Sequence, residues 1–166
     1  MATKEELVSG IREQGERAQR LASQLDEEDW QRGVHEAGWN VKQAFCHLAS
    51  TAGGAGFVIS VVNQQQASSG EGAGGGPGAG FDINEFNTHQ VGLREARDPE
   101  ELLTELRDGN KTSQEAVSGL DDAFLDLQAR SFADGSMVPA RDLMQLVMVD
   151  HVRGHLDEIE KITGKG

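Results

Sequence analysis

Three histidines, His47, His151 and His155, carry the chemistry this chain is best equipped to perform. His151 and His155 stand four residues apart in the periodic stretch from Val149 to Glu160, so a helix sets both imidazoles on one face, a turn apart. His47 lies far upstream, in an apolar segment around Ala44 and Leu48. If the two helices meet in one bundle, three nitrogens converge on a single cation. Three protein ligands with the remaining positions open is the arrangement of a catalytic metal site rather than a structural one. Counted at about 100° per residue, Met144, Met148, Val152, Ile159 and Ile162 share the sector of His151 and His155. Asp150, Arg153, Asp157, Glu160 and Lys161 fall opposite, so both histidines are expected to point into the bundle. Inward imidazoles need partners for their nitrogens. A shared divalent metal supplies one answer, and hydrogen bonds to carboxylates or backbone supply the other.

The neighbouring residues have smaller expected roles. His47 sits at the flank of its apolar stripe, beside Ala44 and Thr51. Cys46 diverges from it by about 100°, towards Lys42, Gly53 and Phe57. It is therefore expected to be a semi-exposed residue at a helix or dimer contact, not a ligand. Glu158 is placed to hydrogen-bond a ligating imidazole from behind. Asn87 and His89 are expected substrate contacts, His89 also as a proton shuttle, while His35 reads as a solvated loop residue. No Ser-His-Asp order, catalytic carboxylate pair or nucleotide fingerprint stands out, and no side chain is singled out as catalytic.

The elements that must position these residues read as helices. Thr3 with Glu6 forms a capping-box pattern at the start of a helix to about Leu25. Asp26 to Trp30 suggests a turn or a stub of helix. Asn40 caps a second long helix that continues towards Gln66, with Gly53, Gly54 and Gly56 inside it, a pattern that calls for a closely packed partner helix. Residues 67–80, Ala-Ser-Ser-Gly-Glu-Gly-Ala-Gly-Gly-Gly-Pro-Gly-Ala-Gly, read as a flexible loop. Phe81 to Arg97 is helical at its centre. Asp98 and Pro99 open a helix that ends near Gly119. Leu120 to Val138 reads as an irregular crossing, and a last helix runs from about Pro139 to Thr163. Four long helices without a strand pattern imply an all-α, antiparallel four-helix bundle.

Composition narrows the function classes. The chain has 166 residues, the length of one domain. Its mean hydropathy is −0.49 and no apolar run approaches membrane-spanning length. Acidic residues near the N-terminus do not make an export signal. One cysteine forbids an intrachain disulfide and suits the cytoplasm. A net charge of −13 removes the attractive term that nucleic-acid binding needs.

The stretch Gly38-Trp39-Asn40-Val41-Lys42, followed by His47-Leu48, resembles the signature of the DinB/YfiT-like superfamily. The nearest branch is the N-terminal domain of mycothiol-dependent maleylpyruvate isomerases. His151 and His155 fall where that superfamily places its second and third ligands, and Phe81 to Asn87 resembles a segment before its third long helix. The resemblance covers nearly the whole chain. It implies a four-helix bundle, often a homodimer, holding zinc or nickel through His47, His151 and His155. It further implies a small-molecule substrate and a low-molecular-weight thiol, joined to an electrophile or used in an isomerisation. The maleylpyruvate branch has Glu where His151 stands and carries an additional C-terminal domain. Both departures turn the expectation away from maleylpyruvate itself. A non-catalytic metal-binding or stress-response module and a metal-assisted hydrolase are the alternatives.

Overall fold

The computed structural model describes residues 2–34, 38–68, 82–131 and 134–166. Helix α1 runs over Lys4–Ala22 and starts where the sequence places it. The Thr3 hydroxyl accepts from Glu6 N at 3.1 Å, and Glu6 accepts in return from Thr3 N at 2.7 Å. A stub, α2, follows at Glu27–Gln31. Asn40 and Gln43 make the same reciprocal cap for α3, Val41–Thr51. Asp98 and Glu101 do so for α6, Pro99–Ser118. Between them lie α4, Ala55–Ser68, and α5, Ile83–Gly92.

The single second helix expected from Asn40 to Gln66 is in fact two, α3 and α4, bent by 53°. The break falls at Gly53 and Gly54, where α6 approaches closely. A Cβ on Gly109 of α6 would lie 2.8 Å from Gly53 N and 2.9 Å from the Ala52 side chain. The buried Ser113 hydroxyl, one turn on, donates to Ala52 O at 2.6 Å and accepts from Ala55 N at 3.4 Å. It thus satisfies backbone groups that the interrupted ladder leaves over. The closely packed partner expected for the glycines is α6, though among the described residues nothing approaches Gly56.

The crossing expected to be irregular holds a short helix, α7, at Asp122–Leu125 and a two-stranded antiparallel sheet. Strands β1, Gln128–Arg130, and β2, Met137–Pro139, pair with Ala129 opposite Val138. Three-residue strands are too short to show alternation in sequence. The outer edge of β1 is closed by α4: Gln65 accepts from Arg130 N at 2.6 Å, and Gln66 donates to Gln128 O at 2.8 Å. The glycine-rich stretch lies outside the described residues from residue 69 onward; residues 67 and 68 end α4.

The last helix also departs from the uniform one expected. It comprises α8, Ala140–Met144, a wide π-helical turn at Gln145–Asp150, and α9, His151–Thr163. At 100° per residue the buried stripes of α8 (Ala140, Leu143, Met144) and α9 (His155, Leu156, Ile159, Thr163) would centre about 120° apart. An i→i+5 turn holds about one extra residue and so sets the helix back by roughly 100°. The wide turn brings both stripes onto the same core.

The resulting antiparallel four-helix bundle consists of α1, the bent α3–α4 pair, α6 and α8–α9. One core cluster gathers Leu21, Phe45, Leu48, Leu102, Leu106, Leu156 and Ile159; the other gathers Leu7, Ile11, Val58, Val117, Leu143 and Met144. Among the described residues no single helix is long and apolar enough to cross a membrane.

Candidate metal centre

Helices α3 and α9 pack against each other, and the contact unites residues from distant parts of the sequence. One nitrogen from each of His47, His151 and His155 lies within 4.8 Å of the other two. The ring centroids stand 5.2 Å apart for His47 and His151, 5.0 Å for His47 and His155, and 4.5 Å for His151 and His155. Each pair meets edge to face. His47 Nε2 and His151 Nε2 are 2.9 Å apart.

Burial divides the three. His47 is 2% exposed and His155 8%, whereas His151 is exposed. The expectation that both late histidines point inward therefore fails for His151. The uniform helical count referred it to Met144 and Met148, which precede or lie within the wide turn. Counted from the buried stripe of α9 alone, His151 stands about a quarter-turn off the core direction. It forms the rim of the site, and His47 and His155 form its floor.

The electrostatics keep the floor neutral. Desolvation pushes the His47 pKa down to about 3, helped by the neighbouring His155 and His151. Burial lowers His155 as well, against a smaller opposite pull from Glu158. Neutral imidazoles are the protonation state a metal requires. His47 Nδ1 is buried and has no hydrogen-bond partner among the described residues.

Around the cluster, the Trp39 ring lies 5.1 Å from the His47 ring, tilted by 43°, and half-buried. Trp39 was legible as part of the signature, but its place beside His47 was not. The signal was the eight-residue separation across a helix start, which brings an N-terminal flanking ring over the second turn. Cys46 stands outside the histidine cluster, and it is fully buried rather than semi-exposed. It faces the side of α3 that α5 and the start of α6 cover, among Lys42, Arg94, Glu95 and Glu105, and burial raises its pKa. On α5, Asn87 is half-buried and His89 exposed, and His89 stands outside the histidine cluster. His35 lies outside the described residues.

Residues 11–155 match the sequence pattern of the mycothiol maleylpyruvate isomerase N-terminal domain. No curated protein matches the chain. Among solved structures, the crystal structure of the mycothiol-dependent maleylpyruvate isomerase is similar, with a TM-score of 0.66 at 16% identity. That of a histidine-to-alanine mutant of the isomerase is similar too, with a TM-score of 0.65 at 16% identity. Each match covers 95% of this chain and 61% of the solved one, so the chain spans about three-fifths of the length of those structures. The fold is shared, the sequence match runs through all three histidines, and the chain belongs to the mycothiol maleylpyruvate isomerase N-terminal domain family.

Proposed function

We propose that this chain is a divalent-metal-dependent enzyme that uses a low-molecular-weight thiol on a small electrophilic substrate, by S-transfer or thiol-dependent isomerisation. The observation that carries the proposal is the meeting of three imidazole nitrogens within 4.8 Å, two of the rings buried and no carboxylate in the group. Bonds of about 2.0–2.1 Å from one ion to each nitrogen put the nitrogens roughly 3–3.5 Å apart, which suits such a cluster. In this reading His47, His151 and His155 would hold zinc or nickel. Held by three neutral ligands, such an ion would supply an uncompensated positive charge that favours the thiolate or hydroxide form of a group beside it.

This chain's own residues supply access and orientation. Exposed His151 opens the cluster towards solvent, and the half-buried Trp39 ring gives a substrate a flat apolar wall beside His47. Glu158 acts on His155 electrostatically and is assigned a supporting role behind that ring. Asn87 and His89 are assigned to the substrate side. The relatives' printed names join mycothiol to an isomerisation of maleylpyruvate, and the thiol part of that chemistry is the part we carry over. A cytoplasmic homodimer completes the reading.

Metal analysis of the purified protein, beside His151→Ala and His155→Ala, tests the first half. Near-stoichiometric metal in the wild type and its loss in both variants is the expected result. An assay pairing mycothiol and other small thiols with a general electrophile, with and without a chelator, tests the second. Chelator-sensitive consumption of a thiol supports transfer. Turnover of esters with no thiol consumed assigns a hydrolase instead, and absent metal with unchanged variants ends the proposal.

A further inference from the structure

A groove of about 400 Å³ between α1 and α6 is lined by Arg12, Arg20, Arg107 and Lys111 against a single carboxylate, Glu16. In a chain of net charge −13 this lining carries four cations to one carboxylate, with Asp108 and Glu115 just outside it. Their pairing is looser than that of the arginines that join elements. Arg17, Arg94, Arg97 and Arg141 reach carboxylates at 2.6–2.7 Å and tie elements together. In the groove, Arg20 stands 3.9 Å from Glu16, Arg107 3.6 Å from Asp108 and Lys111 4.0 Å from Glu115. None of these is a hydrogen bond. Among the described residues Arg12 reaches only the neutral Ser9 hydroxyl, at 3.3 Å. Their donors remain available to a ligand.

The backbone shapes the concavity. Gly15 of α1 lets the Asn110 side chain of α6 pack against it: a Cβ on Gly15 would stand 2.6 Å from Asn110 Nδ2. Gln19, Asn110 and Gln114 add neutral amides to the lining. Guanidinium forks and an ammonium around neutral donors match phosphate oxygens. The volume falls in the range of small-ligand sites. A long polyanion such as nucleic acid would run out onto the acidic remainder of the surface and be repelled there. From these observations we infer that the α1–α6 groove is a binding site for a small molecule bearing two or more phosphate groups, a site that shares no residue with the histidine cluster.

Amide NMR titration of the whole protein at fixed ionic strength tests this, with inorganic pyrophosphate and a nucleoside diphosphate as separate arms. The expected result is saturable shifts centred on Gly15 and Asn110, weakening steeply with added salt. Arg107→Ala/Lys111→Ala should weaken pyrophosphate binding by roughly tenfold or more, while Lys161→Ala, outside the groove, leaves it unchanged. Equal affinity for the two ligands assigns recognition to the phosphates alone; tighter diphosphate binding adds the nucleoside. Shifts centred on His151 and His155, affinity unchanged in the double variant, or no saturation would overturn the inference.

Discussion

Burial of His47 makes the metal-free protein sensitive to mild acid. Its pKa falls from the ordinary 6.5 to about 3 on folding. Above pH 6.5 the ring is neutral both folded and unfolded, and its ionisation contributes no pH dependence. Between 6.5 and about 3 the unfolded chain takes up a proton that the folded one refuses, so stability falls as pH falls. One such group gives a slope approaching about 1.4 kcal/mol per pH unit, and His155 acts in the same direction. Carboxylates join only at lower pH, which leaves pH 6.5 to 5 as the clean window. Urea unfolding of chelator-treated protein across that window should show roughly 2 kcal/mol of loss. His47→Gln, uncharged throughout, should flatten most of it. A wild-type curve that is level from pH 7 to 5 would contradict the assigned burial.

At the scale of elements, the wide turn at Gln145–Asp150 decides which way the late histidines face. Gln145 donates to Asp150 across it at 3.0 Å, and Arg153 pairs with Asp150 at 2.8 Å, so side chains bracket the turn at its downstream end. Deleting Leu146, one of its more exposed residues, takes out the extra residue, so it should restore a regular helix and leave α9 facing as it does. Inserting one residue there should instead swing α9 by about 100° relative to α8. We expect the deletion variant to keep metal, and the insertion variant to lose it and melt well below the wild type. Retention of metal and of wild-type melting by the insertion variant would show that the turn does not set the facing of α9. The same turn marks the limit of what the sequence disclosed. Caps at Thr3, Asn40 and Asp98 were legible because side chain and backbone sit within one turn of each other. The convergence of His47 with His151 and His155 followed from apolar stripes on two helices. Nothing local reports a π turn, since its residues are ordinary helix formers, and so His151 reads as buried in the bundle where it forms the exposed rim of the cluster. The break at Gly53 and the burial of Cys46 were equally hidden, because Gly109, Ser113 and α5 act from a distance in sequence.

For the whole molecule, an ion at the cluster would be a crosslink between α3 and α9, residues 104 apart in the chain. Other ties between distant helices are ion pairs such as Arg17 of α1 with Asp157 and Glu160 of α9, both at 2.6 Å. The Asp157 contact is solvent-facing and weak, whereas Arg17 holds Glu160 through two parallel, part-buried hydrogen bonds. A ligand bound only by the folded state adds about 4 kcal/mol at a thousandfold excess over its Kd. For a chain of this size that raises Tm by roughly 8–16 °C. The division of burial among the histidines makes the source identifiable. Truncating buried His47 removes core packing as well as a ligand, and would lower Tm with or without metal. His151 is exposed, so His151→Ala should melt within a few degrees of the chelated wild type yet gain little from added zinc or nickel. The acidic surface concentrates divalent ions without regard to site, and any stabilisation from that source would persist in His151→Ala. Calorimetry of the two proteins, chelated and metal-loaded, separates the cases. Nickel should also quench the fluorescence of Trp39, beside His47, in the wild type but not in the variant. An equal metal-induced rise in Tm for both proteins would place the ions on the surface and remove His151 from the ligand set.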